Sequence, residues 1–250
     1  MDDLRSTALA INNMIQSLKH KLQSLITLSC LLCRSACQWP NRLCRGCIDT
    51  LPRIQHACML CSEPLPHRDD GHLCGTCQKQ GRAFDSCTSA FLYQSPVSDM
   101  LQRLKYHDQL AFAHPLATQL ASTLQTHYRA EPFPEVILPI PLHRKRLLQR
   151  GYNQSTVLAR HLSRHMMIPT DHRLLKRVHA TQPQLKLTTD QRRRNVRGTF
   201  TCKRNHYHHV ALLDDIVTTG ATVEEISRLL KQQGVKYVDV WCIARTPPGG

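Results

Sequence analysis

Thirteen residues near the carboxyl end of the sequence, Val210-Ala-Leu-Leu-Asp-Asp-Ile-Val-Thr-Thr-Gly-Ala-Thr222, place paired carboxylates beside a run of small residues. The apolar run Val210 to Leu213 predicts a strand of a parallel sheet buried on both faces, and Val223 to Gln233 predicts the amphipathic helix that follows it. Asp214 and Asp215 are then expected at the carboxyl end of the strand, where open α/β sheets hold their ligands. Thr218, Thr219, Gly220, Ala221 and Thr222 are small enough for backbone N–H groups and hydroxyls to close around a phosphate at the positive end of the helix. Together these features point to a phosphorylated sugar. A blander reading makes Thr222-Val-Glu-Glu225 a capping box behind two solvated aspartates, and both can hold at once. A cap alone requires neither the adjacent acids nor two threonines before a glycine. No G-x-x-x-x-G-K-[ST] and no G-x-G-x-x-G occurs in the chain, which argues against a P-loop or dinucleotide fold.

A second chemistry is written in the cysteines. Eight of the twelve form four C-x-x-C pairs, Cys30/Cys33, Cys44/Cys47, Cys58/Cys61 and Cys74/Cys77, with 10, 10 and 12 residues between successive pairs. Two thiolates three apart on a tight turn supply half a tetrahedron, and a second turn completes it, so the pattern predicts two structural zinc ions. Sequential pairing gives two ribbons in series; cross-bracing of alternate pairs is the rival arrangement. Four-cysteine sites are closed, so these ions are expected to hold a fold and not to catalyse. Cys37, Cys87, Cys202 and Cys242 are read as packing residues. A reducing cytosol is the expected compartment for so many thiols, with no secretory signal apparent.

The remaining candidates are basic. Arg144, Lys145, Arg146 and Arg150 crowd a loop just after the carboxyl end of a predicted strand, on the side of the sheet where the acidic loop is expected. Guanidinium forks there would bind phosphate oxygens two at a time, and Gly151 would admit a close backbone approach. Between Arg173 and Arg204 there are ten Lys/Arg against one Asp, with Arg192, Arg193, Arg194 and Arg197 at the centre. Such density suits a polyanion, although a solvated basic face is the ordinary reading of a charge run. Tyr106, Tyr152, Phe200 and Tyr207 are available to stack on bases, or equally to pack in a core. His206, His208 and His209 have the look of metal ligands, but a polar turn before a buried strand accounts for them.

The elements that must position these groups follow from periodicity. Residues 1–28 form an extension whose Leu18, Leu22, Leu25 and Ile26 suit an amphipathic helix. Residues 29–86 form the cysteine-rich double ribbon, and residues 87–250 form the main domain. There, Ser89 to Tyr93 reads as a strand. Val97 to Tyr106 and Ala111 to Tyr128 read as helices, the second interrupted near Pro115. Val136 to Pro139 is a short buried strand, Asn153 to Met166 a helix, and Tyr237 to Ala244 a closing strand. Strands alternating with helices predict a parallel-sheet, three-layer α/β domain. The 250 residues suffice for that domain plus a small module. The formal charge of +15 suits nucleic acid, anionic metabolites or an acidic partner without choosing among them. No apolar run approaches a membrane span.

The acidic loop resembles the 5-phosphoribosyl-1-pyrophosphate (PRPP) motif of the type I phosphoribosyltransferases. The resemblance implies that Asp214 and Asp215 meet the ribose 2′- and 3′-hydroxyls and that Thr218 to Thr222 hold the 5′-phosphate. Further segments are more specific. Pro139-Ile-Pro-Leu-His-Arg-Lys-Arg-Leu-Leu-Gln-Arg-Gly-Tyr-Asn-Gln154 resembles the P-x-P…R…RG[FY]NQ signature of the ComF family of competence proteins. Thr181-Gln-Pro-Gln-Leu-Lys-Leu and Arg192-Arg-Arg-Asn-Val-Arg-Gly-Thr-Phe200 resemble its T-x-x-Q-x-x-L…R-x-x-N-V-x-G-x-F segment. Leu104-Lys-Tyr106 is similar to its lysine-tyrosine segment, and the cysteine module to its zinc module. The similarity runs from about Cys30 to Thr246; the stretch before Cys30 is longer than the family's usual start.

What this implies is a phosphoribosyltransferase-fold protein serving natural transformation, binding incoming single-stranded DNA in the cytoplasm or at the inner face of the membrane. A DNA-uptake helicase or recombination proteins are the expected partners. Lys105, Arg144, Lys145, Arg146, Arg150, Arg192, Arg193, Arg194 and Arg197 are the expected nucleic-acid contacts. A second expectation is an active phosphoribosyltransferase, in which Asp214 and Asp215 organise ribose and Mg²⁺ while Arg146 and Arg150 clamp pyrophosphate. A third is a regulator that senses PRPP without turning it over.

Overall fold

A computed structural model of the protein describes residues 27–38, 41–66, 72–106, 108–179, 191 and 195–247. The predicted helix of the amino-terminal extension, the 181–187 segment and Arg192, Arg193 and Arg194 lie outside the described residues. The rest falls into two compact units, divided between Leu51 and Pro52.

The first unit is small. Strand β1 (Thr27–Ser29) pairs antiparallel with β2 (Ala36–Gln38), and helix α1 (Arg45–Asp49) follows. The turn between the strands carries Cys30 and Cys33 and is closed by Cys30 N–H donating to Ser35 O at 2.8 Å and Arg34 N–H donating to Cys30 O at 3.0 Å. Among so few apolar groups, cysteine ligation is the expected source of stability.

The second unit begins with the other two cysteine pairs and helix α2 (Gly75–Gln80), then builds a four-stranded parallel sheet in the order β3-β8-β7-β4. Its strands are β3 (Ser86–Leu92), β4 (Val136–Pro139), β7 (His209–Val217) and β8 (Tyr237–Arg245). A small antiparallel pair, β5 (Leu175–Arg177) with β6 (Phe200–Cys202), lies outside the main sheet. The helices are α3 (Val97–Tyr106), α4 (Ala113–His127), α5 (Arg144–Arg150), α6 (Gln154–Met166) and α7 (Ala221–Gln232). Val210, Leu212, Val238 and Val240 are fully buried in one core with Val223, Ile226 and Leu230 of α7 and with the second cysteine set. On the other side Trp241 Nε1 donates to the hydroxyl of Tyr128, which follows α4, at 3.0 Å. Burial of both faces explains why the central strands read as continuous apolar runs.

Four details differ from expectation. Helix α4 runs through Pro115 without interruption, because Pro115 is its third residue, where a backbone N–H has no helical acceptor to lose. Strand β7 continues four residues past Leu213, since its ladder with β8 extends through Asp214↔Cys242 and Val217↔Arg245. The acidic pair therefore stands within the strand and not beyond it. The basic segment after β4 is a helix, α5, and not a loop. Finally, Thr222-Val-Glu-Glu225 makes no capping box: α7 starts at Ala221 with Gly220 as its cap and no side-chain cap bond.

Candidate functional site

The site arises where neighbouring strands end at different heights. β4 stops at the pairing Pro139↔Leu213, while β7 continues beside β8, so Asp214 and Asp215 look into the space that β4 vacates. That space is a cleft of about 760 Å³, walled by the ends of α3, α5 and α6 and by the loop Thr218–Gly220. Its lining includes Lys105, Tyr106, Arg146, Arg150, Arg177, Asp214, Asp215 and residues Thr218 to Thr222.

The acidic pair is held tightly. Asp215 is 4% exposed, and its Oδ2 lies 2.5 Å from Nζ of Lys105. Asp214 Oδ1 accepts from Ser155 Oγ at 3.2 Å and from the Asp215 N–H at 2.9 Å. Burial, followed by the charge of Asp215, pushes the Asp214 carboxyl up to about 7 despite the opposing Lys105 ammonium. Burial pulls Lys105 down, but Asp215 and then Asp214 outweigh it and hold the ammonium above its ordinary range. The charges of Asp214 and Lys105 are thus set by burial and by each other's neighbourhood.

The loop that follows β7 turns at Gly220. Gly220 adopts φ 79° and ψ 3°, the left-handed region in which a side chain is strained, and this bend turns the chain from β7 into α7. Thr219 Oγ1 accepts from the Ala221 N–H at 3.4 Å. The glutamates that would have capped the helix point elsewhere. Glu224 accepts from the Ala83 N–H at 3.1 Å and from Arg228 at 2.8 Å, and Glu225 accepts from the Gly198 N–H at 2.7 Å. The positive end of a twelve-residue helix is thereby left facing the cleft without a carboxylate over it.

The basic wall explains the residues between β4 and α6. His143 Nδ1 caps α5 by accepting from the Lys145 N–H at 3.2 Å, and Gly151 at φ 78° ends it. Asn153 then starts α6, accepting from the Ser155 N–H at 3.0 Å while its Nδ2 donates to Ile140 O at 2.9 Å. Gln154 holds Arg150 through a 2.6 Å bond to its Oε1, and the Tyr152 hydroxyl donates to Leu104 O beside Lys105. Arg150 also lies over the Tyr106 ring, 5.1 Å from its centroid, and Tyr106 is 65% exposed. Arg146 and Arg150 line the cleft, whereas Arg144, Lys145 and Arg197 are exposed residues outside its lining. Of the four aromatics, Tyr106 alone is well exposed; Phe200 is buried, and Tyr152 and Tyr207 are half-buried.

Sequence reasoning missed two contributors. Arg177, in the three-residue strand β5, lines the cleft and packs 5.2 Å over the Phe200 ring. Burial, and next the charge of Arg146, lowers its affinity for the proton. Nothing local distinguishes this arginine from its neighbours. Ser155, the partner of Asp214, sits one residue beyond the RGYNQ segment, and its place at the start of α6 was the available signal.

The cysteines group sequentially, as Cys30, Cys33, Cys44 and Cys47 and as Cys58, Cys61, Cys74 and Cys77, with the sulfurs of each set within 4.8 Å of one another. Cross-bracing is excluded. The contacts Cys33–Cys44 at 3.5 Å and Cys61–Cys74 at 3.6 Å approach the roughly 3.8 Å edge of a tetrahedral Zn–S₄ site. Both sets are compatible with structural zinc. Among the described residues no further metal-holding group occurs, and His209 instead pairs with Asp239 at 2.7 Å. Cys37, Cys87 and Cys242 are buried and Cys202 half-buried, outside both sets.

No family model matches the chain. Individual proteins do. Competence protein F of Haemophilus influenzae is 36% identical over 211 residues, covering 82% of this chain and 91% of that protein. DNA utilization protein YhgH of Escherichia coli (strain K12) is 31% identical over 222 residues, covering 87% and 96%. Competence protein ComFC of Bacillus subtilis (strain 168) is 29% identical over 203 residues, covering 78% and 80%. Among solved structures, the glutamine PRPP amidotransferase from B. subtilis complexed with ADP and GMP superposes with a TM-score of 0.35 and 18% identity. That match covers 52% of this chain and 25% of the other, too loose a likeness to bear on the site. With competence protein F matched along nearly its whole length, the chain belongs to the ComF family of competence proteins.

Proposed function

We propose that the protein is a competence factor that handles incoming single-stranded DNA on a fold retaining a site for PRPP or a ribose 5-phosphate. The observation that carries this reading is the cleft itself. An acidic pair suited to a ribose diol, a glycine-bent loop at a helix start suited to a phosphate, and Arg146, Arg150 and Arg177 suited to further phosphates line one cavity. Asp214, Asp215, Thr218, Thr219, Gly220, Ala221 and Thr222 are assigned to the sugar phosphate. The DNA is assigned to the exposed basic residues Arg144, Lys145 and Arg197, to Arg192, Arg193 and Arg194, and to the Tyr106–Arg150 stack at the cleft mouth. Mg²⁺ is expected only as part of its complex with PRPP, because the Asp215 carboxylate is already engaged by Lys105.

Calorimetric titration with PRPP and Mg²⁺ tests the assignment. Asp215→Asn, which removes the charge facing the ribose, should weaken binding at least tenfold, about 1.4 kcal/mol. Equal affinity in the variant would place the ligand elsewhere. Catalysis is the second reading, favoured by three arginines converging on the cavity that holds the acids. PRPP consumption that disappears in the same variant would establish it.

A further inference from the structure

The second cysteine set and the phosphate loop share two arginines. Arg245, at the end of β8, is 2% exposed. Its Nε donates to the carbonyl of Cys61 at 3.1 Å, and one terminal nitrogen donates to the carbonyls of Val217, at 3.1 Å, and of Thr218. The other terminal nitrogen lies 3.5 Å from the Glu63 carboxylate. One buried guanidinium therefore ties the cysteine turn Cys58–Cys61 to the last residue of β7 and the first residue of the loop. Arg82 makes the second tie. Its Nε donates to Cys77 Sγ at 3.3 Å, while its guanidinium passes 3.8 Å from where a Cβ on Gly220 would stand. Next to it, the Ala83 N–H donates to Glu224 in the first turn of α7.

These contacts run from the second cysteine set to both ends of the loop. Buried guanidinium bonds of this kind are stiff, because breaking one strands charge and carbonyls away from water. A zinc ion fixing the Cys58–Cys61 and Cys74–Cys77 turns would fix Arg245 and Arg82, and so the loop carbonyls and the bend at Gly220. We infer that Arg245 and Arg82 are positioning residues through which zinc at Cys58, Cys61, Cys74 and Cys77 and a sugar phosphate in the cleft stabilise each other's binding. Linkage makes the effect reciprocal: if zinc organises the loop for the ligand, the ligand must raise the affinity for zinc by the same factor. This rests on the ribose-phosphate reading of the cleft.

The test measures the equilibrium partition of zinc between the full-length chain and a colorimetric chelator, with and without saturating PRPP and Mg²⁺, alongside calorimetric titration of the same samples. The affinity of one of the two zinc sites should rise on the order of fivefold with PRPP, the low end of ordinary coupling between sites. Arg245→Lys should reduce that protection, and Arg82→Gln, at a less buried position, should do so without the risk of unfolding the end of β8. PRPP that binds by calorimetry yet leaves both zinc affinities unchanged would overturn the coupling while leaving the site reading intact. Absence of PRPP binding would overturn both. Equal protection in wild type and in Arg82→Gln and Arg245→Lys would remove the arginines from the account.

Discussion

At the scale of single residues, the charge inside the cleft is the deciding quantity. Asp214 is raised to about 7, first by burial and then by its neighbour Asp215, from an unfolded value near 4. Between those two values the folded protein binds a proton that the unfolded chain does not, so stability falls as pH rises through this window. Asp214→Asn keeps an oxygen for Ser155 and for the Asp215 N–H but removes the buried charge. The variant should therefore unfold at a higher temperature than wild type at pH 8 and lose much of that advantage at pH 5, measured by thermal melts at the two pH values. A variant advantage that is the same at both pH values would show that Asp214 does not titrate in this range. The Lys105–Asp215 pair had no counterpart in the sequence reading, where Lys105 was assigned to nucleic acid. Its partner lies far along the chain, and only the meeting of α3 with β7 brings the two together.

At the scale of elements, much was legible because the signal was local. The run Val210 to Leu213, the small residues after it and the four C-x-x-C turns each announce their structure within a few residues. Strand ends were less legible. β7 runs on through two aspartates because β8 supplies a ladder for them, and no residue in the strand itself records that. The basic segment Arg144–Arg150 hid its helix for a related reason. It has no apolar stripe, Leu147 and Leu148 remaining exposed, and it is held at its ends by His143 and Gly151. The bend at Gly220 is the element on which the loop after β7 depends. A Cβ there would meet only Arg82 and Val223 at ordinary distances, so the cost of Gly220→Ala is conformational, about 1–2 kcal/mol. Denaturant melts should show that loss, together with weaker PRPP binding. An unchanged midpoint would mean that the loop is not held in the left-handed bend.

At the scale of the whole molecule, two cysteine sets fall in two separate compact units, and each set is compatible with structural zinc. The purified protein should carry two zinc ions per chain. Stripping them should destabilise both units, since structural zinc supplies on the order of 10 kcal/mol of apparent folding energy. A chain that holds one zinc and melts unchanged after chelation would contradict this. The net charge of +15, drawn partly from arginines at the cleft, sets the larger expectation that a polyanion and a sugar phosphate meet on one face of the second unit. The most direct measurement is a fluorescence anisotropy titration of the zinc-loaded protein with labelled single-stranded DNA at two salt concentrations, repeated with PRPP and Mg²⁺. The account predicts binding that weakens steeply with salt, as phosphate neutralisation requires, and that is weakened by PRPP because the Tyr106–Arg150 mouth opens onto the acidic pair. No binding at low salt, or binding indifferent to salt, would contradict it.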